Sequence, residues 1–135
     1  MGGLSTNKYK KTNAIKDYVS WFEIPAIDFE QAVNFYNHIY GIEMTENSTK
    51  IHKMAFFPTT SGIGGAVIKG PGSIPSDKGP LIYLNGGDDL NDVLGKVEEA
   101  GGRIIMVKTL ISKEEGYFAI FIDSEGNKLA LHSKK

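Results

Sequence analysis

Two hydrophobic periods run along the chain, and they recur in the same order twice. Residues 17–24, "DYVSWFEI", alternate with period two: Tyr18, Ser20, Phe22 and Ile24 face one way, Val19, Trp21 and Glu23 the other. That pattern predicts a strand, stopped by Pro25. From Phe29 the period lengthens. Phe29, Ala32, Val33, Tyr36, Ile39 and Tyr40 recur at helical spacing and form one apolar stripe. Asp28 is placed as an N-cap, with Gln31 three residues on as in a capping box, and Gly41 closes the helix. Strands are predicted near 42–46, 50–57 and 63–69. Gly62, Gly64 and Gly65 crowd the start of the last of these, which implies a bulge or a close approach by another backbone or a ligand.

The stretch 70–80, "GPGSIPSDKGP", reads as a linker, and after it the plan begins again. "LIYLN" (81–85) is a strand. Asp88 or Asp89 caps a helix carrying Leu90, Val93, Leu94 and Val97, with Gly101 and Gly102 at its end. Strands follow near 103–109, 117–123 and 127–132, the last two joined by the tight turn "DSEGN". "DFEQAVNFYNHIYG" and "DLNDVLGKVEEAGG" align without a gap at an offset of 61, cap on cap, stripe on stripe and stop on stop. Each half reads strand, helix, three strands. The expected fold is therefore α+β: two tandem βαβββ units, about 17–69 and 81–133, forming one domain over 17–133 whose curled mixed sheet makes a cup with the helices outside. The cup is the natural ligand site.

Composition narrows the function classes. With 15 Lys and Arg against 16 Asp and Glu, the net charge is −1, and no basic surface for nucleic acid is expected. There is no cysteine, which excludes disulfides, thiolate metal sites and cysteine nucleophiles. No apolar run approaches a membrane span. Residues 1–16 are polar and basic and are read as a flexible terminus without a secretory core. Gly2 and Thr6 fit the loose myristoylation pattern, which is short and degenerate. A cytoplasmic location is the expectation.

Two stretches carry a resemblance. "FEIPAIDFEQAVNFYNHIYG" is similar to the strand, loop and helix of the vicinal oxygen chelate superfamily, and "GYFAIFIDSEGNKLALHS" to its closing hairpin. That superfamily includes glyoxalase I, the bleomycin resistance proteins and the extradiol dioxygenases. The resemblance covers about 17–133 and is nearest to the small bacterial glyoxalase-like members. It implies a homodimer, and four ligand positions that hold a divalent metal in glyoxalase I. Here those positions fall at Trp21, near Lys69 or Gly70, at Leu81 or Ile82, and at Ala130. Indole, alkyl and methyl groups offer no usable lone pair. No metal and no other cofactor is therefore expected, and the usual lyase or dioxygenase chemistry is not carried over.

Strand parity then points to what lies in the cup. If Ala130 faces inward, as the resemblance implies, so does His132; if Trp21 does, so does Glu23. Glu23 and His132 are the candidate catalytic groups. The bland reading of Glu23 is a salt bridge to Lys69 or hydrogen bonds to a loop backbone; the functional one is a general base or an anchor for a ligand hydroxyl or amine. His132 is either a solvent-touching ring at a strand end or a switchable polar group of the pocket. Trp21, Tyr83, Lys69, Tyr117 and Phe121 are the candidate ligand-binding residues, the aromatics forming a wall or simply filling the core. Tyr83 joins only if its register matches. His52 shares parity with Met54 and Phe56; a shifted metal site of Glu23, His52 and His132 has suitable ligand types but no matching family positions. His38 lies off the helical stripe and is expected to be exposed.

Three readings follow. The first is a small-molecule binding protein or metal-independent enzyme on this fold. The second is a divalent-metal lyase, related to lactoylglutathione lyase, or a dioxygenase, with ligands shifted or shared across a dimer. The third is an interaction module whose cup is filled by its own side chains. The identity of the small molecule is not encoded in any motif.

Overall fold

The structure, a computed structural model, describes residues 13–135. The basic terminal stretch, for residues 1–12, and the myristoylation pattern lie outside the described residues. The elements are β1 (Trp21–Pro25), α1 (Phe29–Tyr40), β2 (Thr45–Ser48), β3 (Lys53–Phe56), β4 (Gly64–Lys69), β5 (Tyr83–Asn85), α2 (Asn91–Leu94), β6 (Arg103–Ser112), β7 (Gly116–Ile122) and β8 (Lys128–Ser133). They form two four-stranded mixed sheets, β1-β4-β3-β2 and β5-β8-β7-β6, with the same order in each half. The α+β fold of two tandem βαβββ units is borne out. The strand ladder breaks between the units, so two sheets stand where one continuous sheet was expected. No helix among the described residues is long and apolar enough to cross a membrane.

β1 starts at Trp21, later than the alternation predicts, because a strand needs a partner. It pairs in parallel with β4, and the first residue of β4, Gly64, stands opposite Trp21. The crowded glycines serve that pairing. A Cβ on Gly65 would lie 2.4 Å from the ring of Phe22, its cross-strand neighbour. The close approach is thus made by an aromatic ring of this chain.

α1 is capped as expected at Asp28, whose carboxylate accepts from Gln31 N at 3.1 Å, and Gly41 ends it with φ +63°. The second half of the expected capping box is absent. Glu125 accepts the amides of Ile27 and Asp28 at 2.9 and 2.7 Å, while the Gln31 side chain donates to Glu125 and to the Ser124 carbonyl. The cap of the first unit is completed by the turn of the second. α2 is shorter than its apolar spacing predicts. Leu90, Val93, Leu94 and Val97 are all buried, but beyond Leu94 the backbone closes bonds to the third residue back, as in Lys96 N to Val93 O and Val97 N to Leu94 O. Gly95, at the end of the regular turn, is a poor helix former, and burial keeps the stripe without keeping the α-helical ladder.

Faces of the two sheets converge on one core. Ile24 and Val67 of the first sheet, Phe35 and Tyr36 of α1, and Leu84, Phe121, Leu129 and Leu131 of the second form one buried cluster. Phe35 stacks on Phe121 with centroids 6.1 Å apart. His38 and Glu99, equivalent positions at the 61-residue offset, meet across the two helical segments. His38 is exposed as expected, and paired.

The 123–127 turn seals the join. Asp123 accepts from the Tyr36 hydroxyl at 2.7 Å, from the Asn127 side chain at 3.0 Å, and from the amides of Glu125 and Asn127. Asn127 donates on to the Pro25 carbonyl at the end of β1 and accepts from the Ser76 amide. Burial first, and the Asp123 charge second, hold the Tyr36 phenol well above its usual pKa.

Candidate functional site

Register decides which side chains leave the core and face the cup. Trp21, Glu23 and Pro25 stand opposite Gly64, Ala66 and Ile68, and Ala66 and Ile68 in turn oppose Phe56 and Met54 in β3. In the second sheet Tyr83 stands opposite Ala130 and Asn85 opposite His132; Ala130 and His132 oppose Ile120 and Phe118 in β7. These two sets form the faces turned away from the helices. Trp21 and Tyr83 are 43% and 53% exposed there. The Trp21 ring tilts against Phe56 at 6.0 Å, and Tyr83 against Phe118 at 6.4 Å. Each sheet therefore presents an aromatic pair to solvent.

Glu23 is exposed beside Trp21, whose indole N–H donates to its carboxylate at 3.3 Å. It does not meet Lys69. Lys69 stands opposite Lys53 in the ladder, on the parity of core residue Val67, so it lies on the helix side of the first sheet. That placement corrects both the expected ion pair and the expected place of Lys69 in the cup. His132 is half-buried and its Nε2 lies 2.5 Å from the Glu115 carbonyl oxygen.

Tyr117 and Phe121 are not where an aromatic wall would need them. They pair with Ser133 and Leu129, on the core side of β8, and Phe121 is 0% exposed. Tyr117 packs against the core, with Lys108 Nζ 4.6 Å from its ring centroid. The places expected for them are taken by Phe118 and Ile120, which the sequence reading missed. A signal was available. The "DSEGN" turn closes with Asp123 N donating to Asn127 O, and that closure fixes the register of the whole hairpin.

Glu23, His52 and His132 are not brought together. Glu23 lines a cleft at the seam of the two units, with Ile82 and Lys128. His132 lines a second, beside Tyr83 and Asn85. His52 precedes β3 and packs against Gly70 in a third. Among the described residues no three His, Asp or Glu side chains group closely enough to hold a metal ion.

The family metal can be tested against the donor set. The resemblance puts the first and fourth positions at Trp21 and Ala130. Ile82 packs toward the core, so parity leaves Leu81 for the third. For the second, matched pairing points to Ala66 in place of the expected Lys69 or Gly70, since Ala66 opposes Glu23 as Ala130 opposes Tyr83. An indole, two methyls and an isobutyl group do not fit a divalent cation.

Comparison with known proteins agrees with this fold. The family model "Glyoxalase/Bleomycin resistance protein/Dioxygenase superfamily" matches residues 18–131. No curated protein matches the chain significantly. Among solved structures, the chain is similar to TnmS3, an antibiotic binding protein from Streptomyces sp. CB03234, at 21% identity and TM-score 0.63, over 91% of this chain and 100% of that one. It is similar to a glyoxalase/bleomycin resistance protein/dioxygenase family enzyme from Burkholderia phytofirmans PsJN, at 16% identity and TM-score 0.63, over 86% and 98%. Glyoxalase I from Zea mays shares 15% identity at TM-score 0.65, over 84% of this chain and 43% of that one. Identities this low speak for the fold alone. The fold, the duplicated sheet order and the match over residues 18–131 together place the chain in the Glyoxalase/Bleomycin resistance protein/Dioxygenase superfamily.

Proposed function

We propose that this protein binds a small, flat, largely apolar molecule on the cup faces of its sheets without a metal ion. The observation that carries the reading is the pairing of Trp21 with Glu23. A large aromatic surface lies open beside a carboxylate whose one hydrogen bond among the described residues is a long one from the indole N–H. Such a pair offers stacking area and an acceptor for a ligand hydroxyl or amine. Tyr83 and Phe118 offer a second stacking surface, and His132 a polar group beside it. The likeness to an antibiotic binding protein supports sequestration as the role.

The same reading has the protein act as a homodimer in the bacterial cytoplasm. Trp21 and Tyr83 sit half in water, and the edge strand β6 exposes Ile105, Met106 and Val107. A second copy would cover such surfaces and bring the Glu23 wall of one sheet opposite the His132 wall of another. If a reaction is catalysed, Glu23 is the candidate base and His132 its candidate partner, and their separation within one chain requires that second copy.

Calorimetry on chelator-treated protein separates this reading from the lyase and dioxygenase alternatives. Aromatic antibiotics should bind with the same affinity before and after addition of zinc or nickel. Binding or turnover that appears only with the metal would overturn the proposal.

A further inference from the structure

We propose a second ligand site, for a phosphorylated small molecule, in the cleft between the β2–β3 turn, the end of β4 and the turn into α1. This cleft, of about 380 Å³, lies at one end of the first sheet; none of Trp21, Glu23, Tyr83 and His132 lines it, so it is independent of the cup reading. Lys50, His52, Lys53 and Lys69 line it, and none of its lining residues is an aspartate or glutamate. The ion pairs of the described residues are His38–Glu99, Lys78–Asp77 and Lys108–Asp89, so no carboxylate answers these three lysines within salt-bridge distance.

The arrangement works against the fold that contains it. Lys53 and Lys69 are direct partners in the β3–β4 ladder and share a face. Like charges in that relation destabilise a sheet. Lys50 adds a third cation from the adjoining turn, in a chain whose net charge is −1. Concentrated positive charge in a concave surface raises the local concentration of anions. Ile27, Ile51 and Pro71 give the cleft an apolar side, and Ser73 a hydroxyl. Several lysine point charges suit a phosphoryl group, with its two charges and three acceptor oxygens, better than a single carboxylate. The volume exceeds that of one phosphate, which leaves room for an organic body against the isoleucines.

Thermal unfolding and calorimetry with phenyl phosphate, inorganic phosphate and benzoate at matched ionic strength test the assignment. Phenyl phosphate should bind saturably, inorganic phosphate more weakly, and benzoate should not bind. Lys53→Gln and Lys69→Gln should each weaken phenyl phosphate by about tenfold, the loss of one charge-assisted contact. Neither should lower the melting temperature of the ligand-free protein, since each removes a like-charge pair. Lys113→Gln, in the β6–β7 turn, should leave binding unchanged. Equal weakening by Lys113→Gln would reduce the effect to general charge screening. Equal binding of benzoate, or far tighter binding of a single-stranded oligonucleotide, would equally overturn the proposal.

Discussion

The polar side chains of the 123–127 turn and those of the cup faces belong to the same two sheets and have opposite fates. Asp123 and Asn127 are 3% and 5% exposed, and Asp123 alone accepts from a phenol, an amide side chain and two backbone N–H groups. Among the described residues Glu23 has one long hydrogen bond, from an exposed indole, and the His132 side chain one, with a backbone carbonyl. The first set is consumed in joining the halves; the second retains capacity to bind something else. It follows that the turn, within one of the two stretches carrying the family resemblance, reports the fold. The proposed ligand groups Glu23 and His132 lie in the same two stretches, and are those the joining of the halves leaves uncommitted.

If that contrast is right, the turn should control stability and the cup should not. Asp123→Ala strands the Tyr36 hydroxyl and the Asn127 amide in the interior and should cost about 3 kcal/mol, read from chemical denaturation. A loss under about 1 kcal/mol would mean that water or repacking replaces the network, and the contrast would weaken. Tyr36→Phe removes one bond to Asp123 and should cost about 1–2 kcal/mol by the same measurement. Glu125→Ala leaves the amides of Ile27 and Asp28 to water and should cost about 1 kcal/mol, the range of a lost helix cap.

Alkaline pH sharpens the comparison further. Burial first, then the Asp123 charge, hold the Tyr36 phenol well above 10.0, and burial raises Tyr40 in the same direction. A folded-state pKa above the unfolded one stabilises fully below the unfolded value and is lost as pH rises beyond it. Stability should therefore fall above about pH 10, the ordinary phenol value, and fall less steeply in Tyr36→Phe. At the other extreme, Glu23→Gln should change stability by no more than about 0.5 kcal/mol, as expected of an exposed side chain without a tight partner.

Much of the fold was legible because it rests on local signals. The stripe of α1, its Asp28 cap, its Gly41 stop and the 61-residue offset are all readable without tertiary knowledge, and each is found. What was not legible depends on one half meeting the other. Gln31 looks like a local capping partner but donates instead to residues 124 and 125, because Glu125 already occupies the Asp28 amide. The stripe of α2 survives while its helix shortens, since burial of Leu90, Val93, Leu94 and Val97 does not require a regular ladder. For the site, parity placed Trp21, Glu23 and His132 on the cup faces and Tyr83 followed from its register. Tyr117 and Phe121 went to the core because only the turn closure, and not composition, fixes the parity of β7.

Trp21 is the sole tryptophan of the chain, and it stands in the proposed site. The most direct test of the account is therefore its fluorescence during titration with aromatic antibiotics of the bleomycin-binding and related classes, in the metal-free protein and in Glu23→Gln. A saturable change in Trp21 emission is expected, weakening by about tenfold or more in the variant, the equivalent of one lost hydrogen bond to a charged group. An emission unmoved by every compound that calorimetry shows to bind, or a response identical in the two proteins, would place the ligand elsewhere and contradict it.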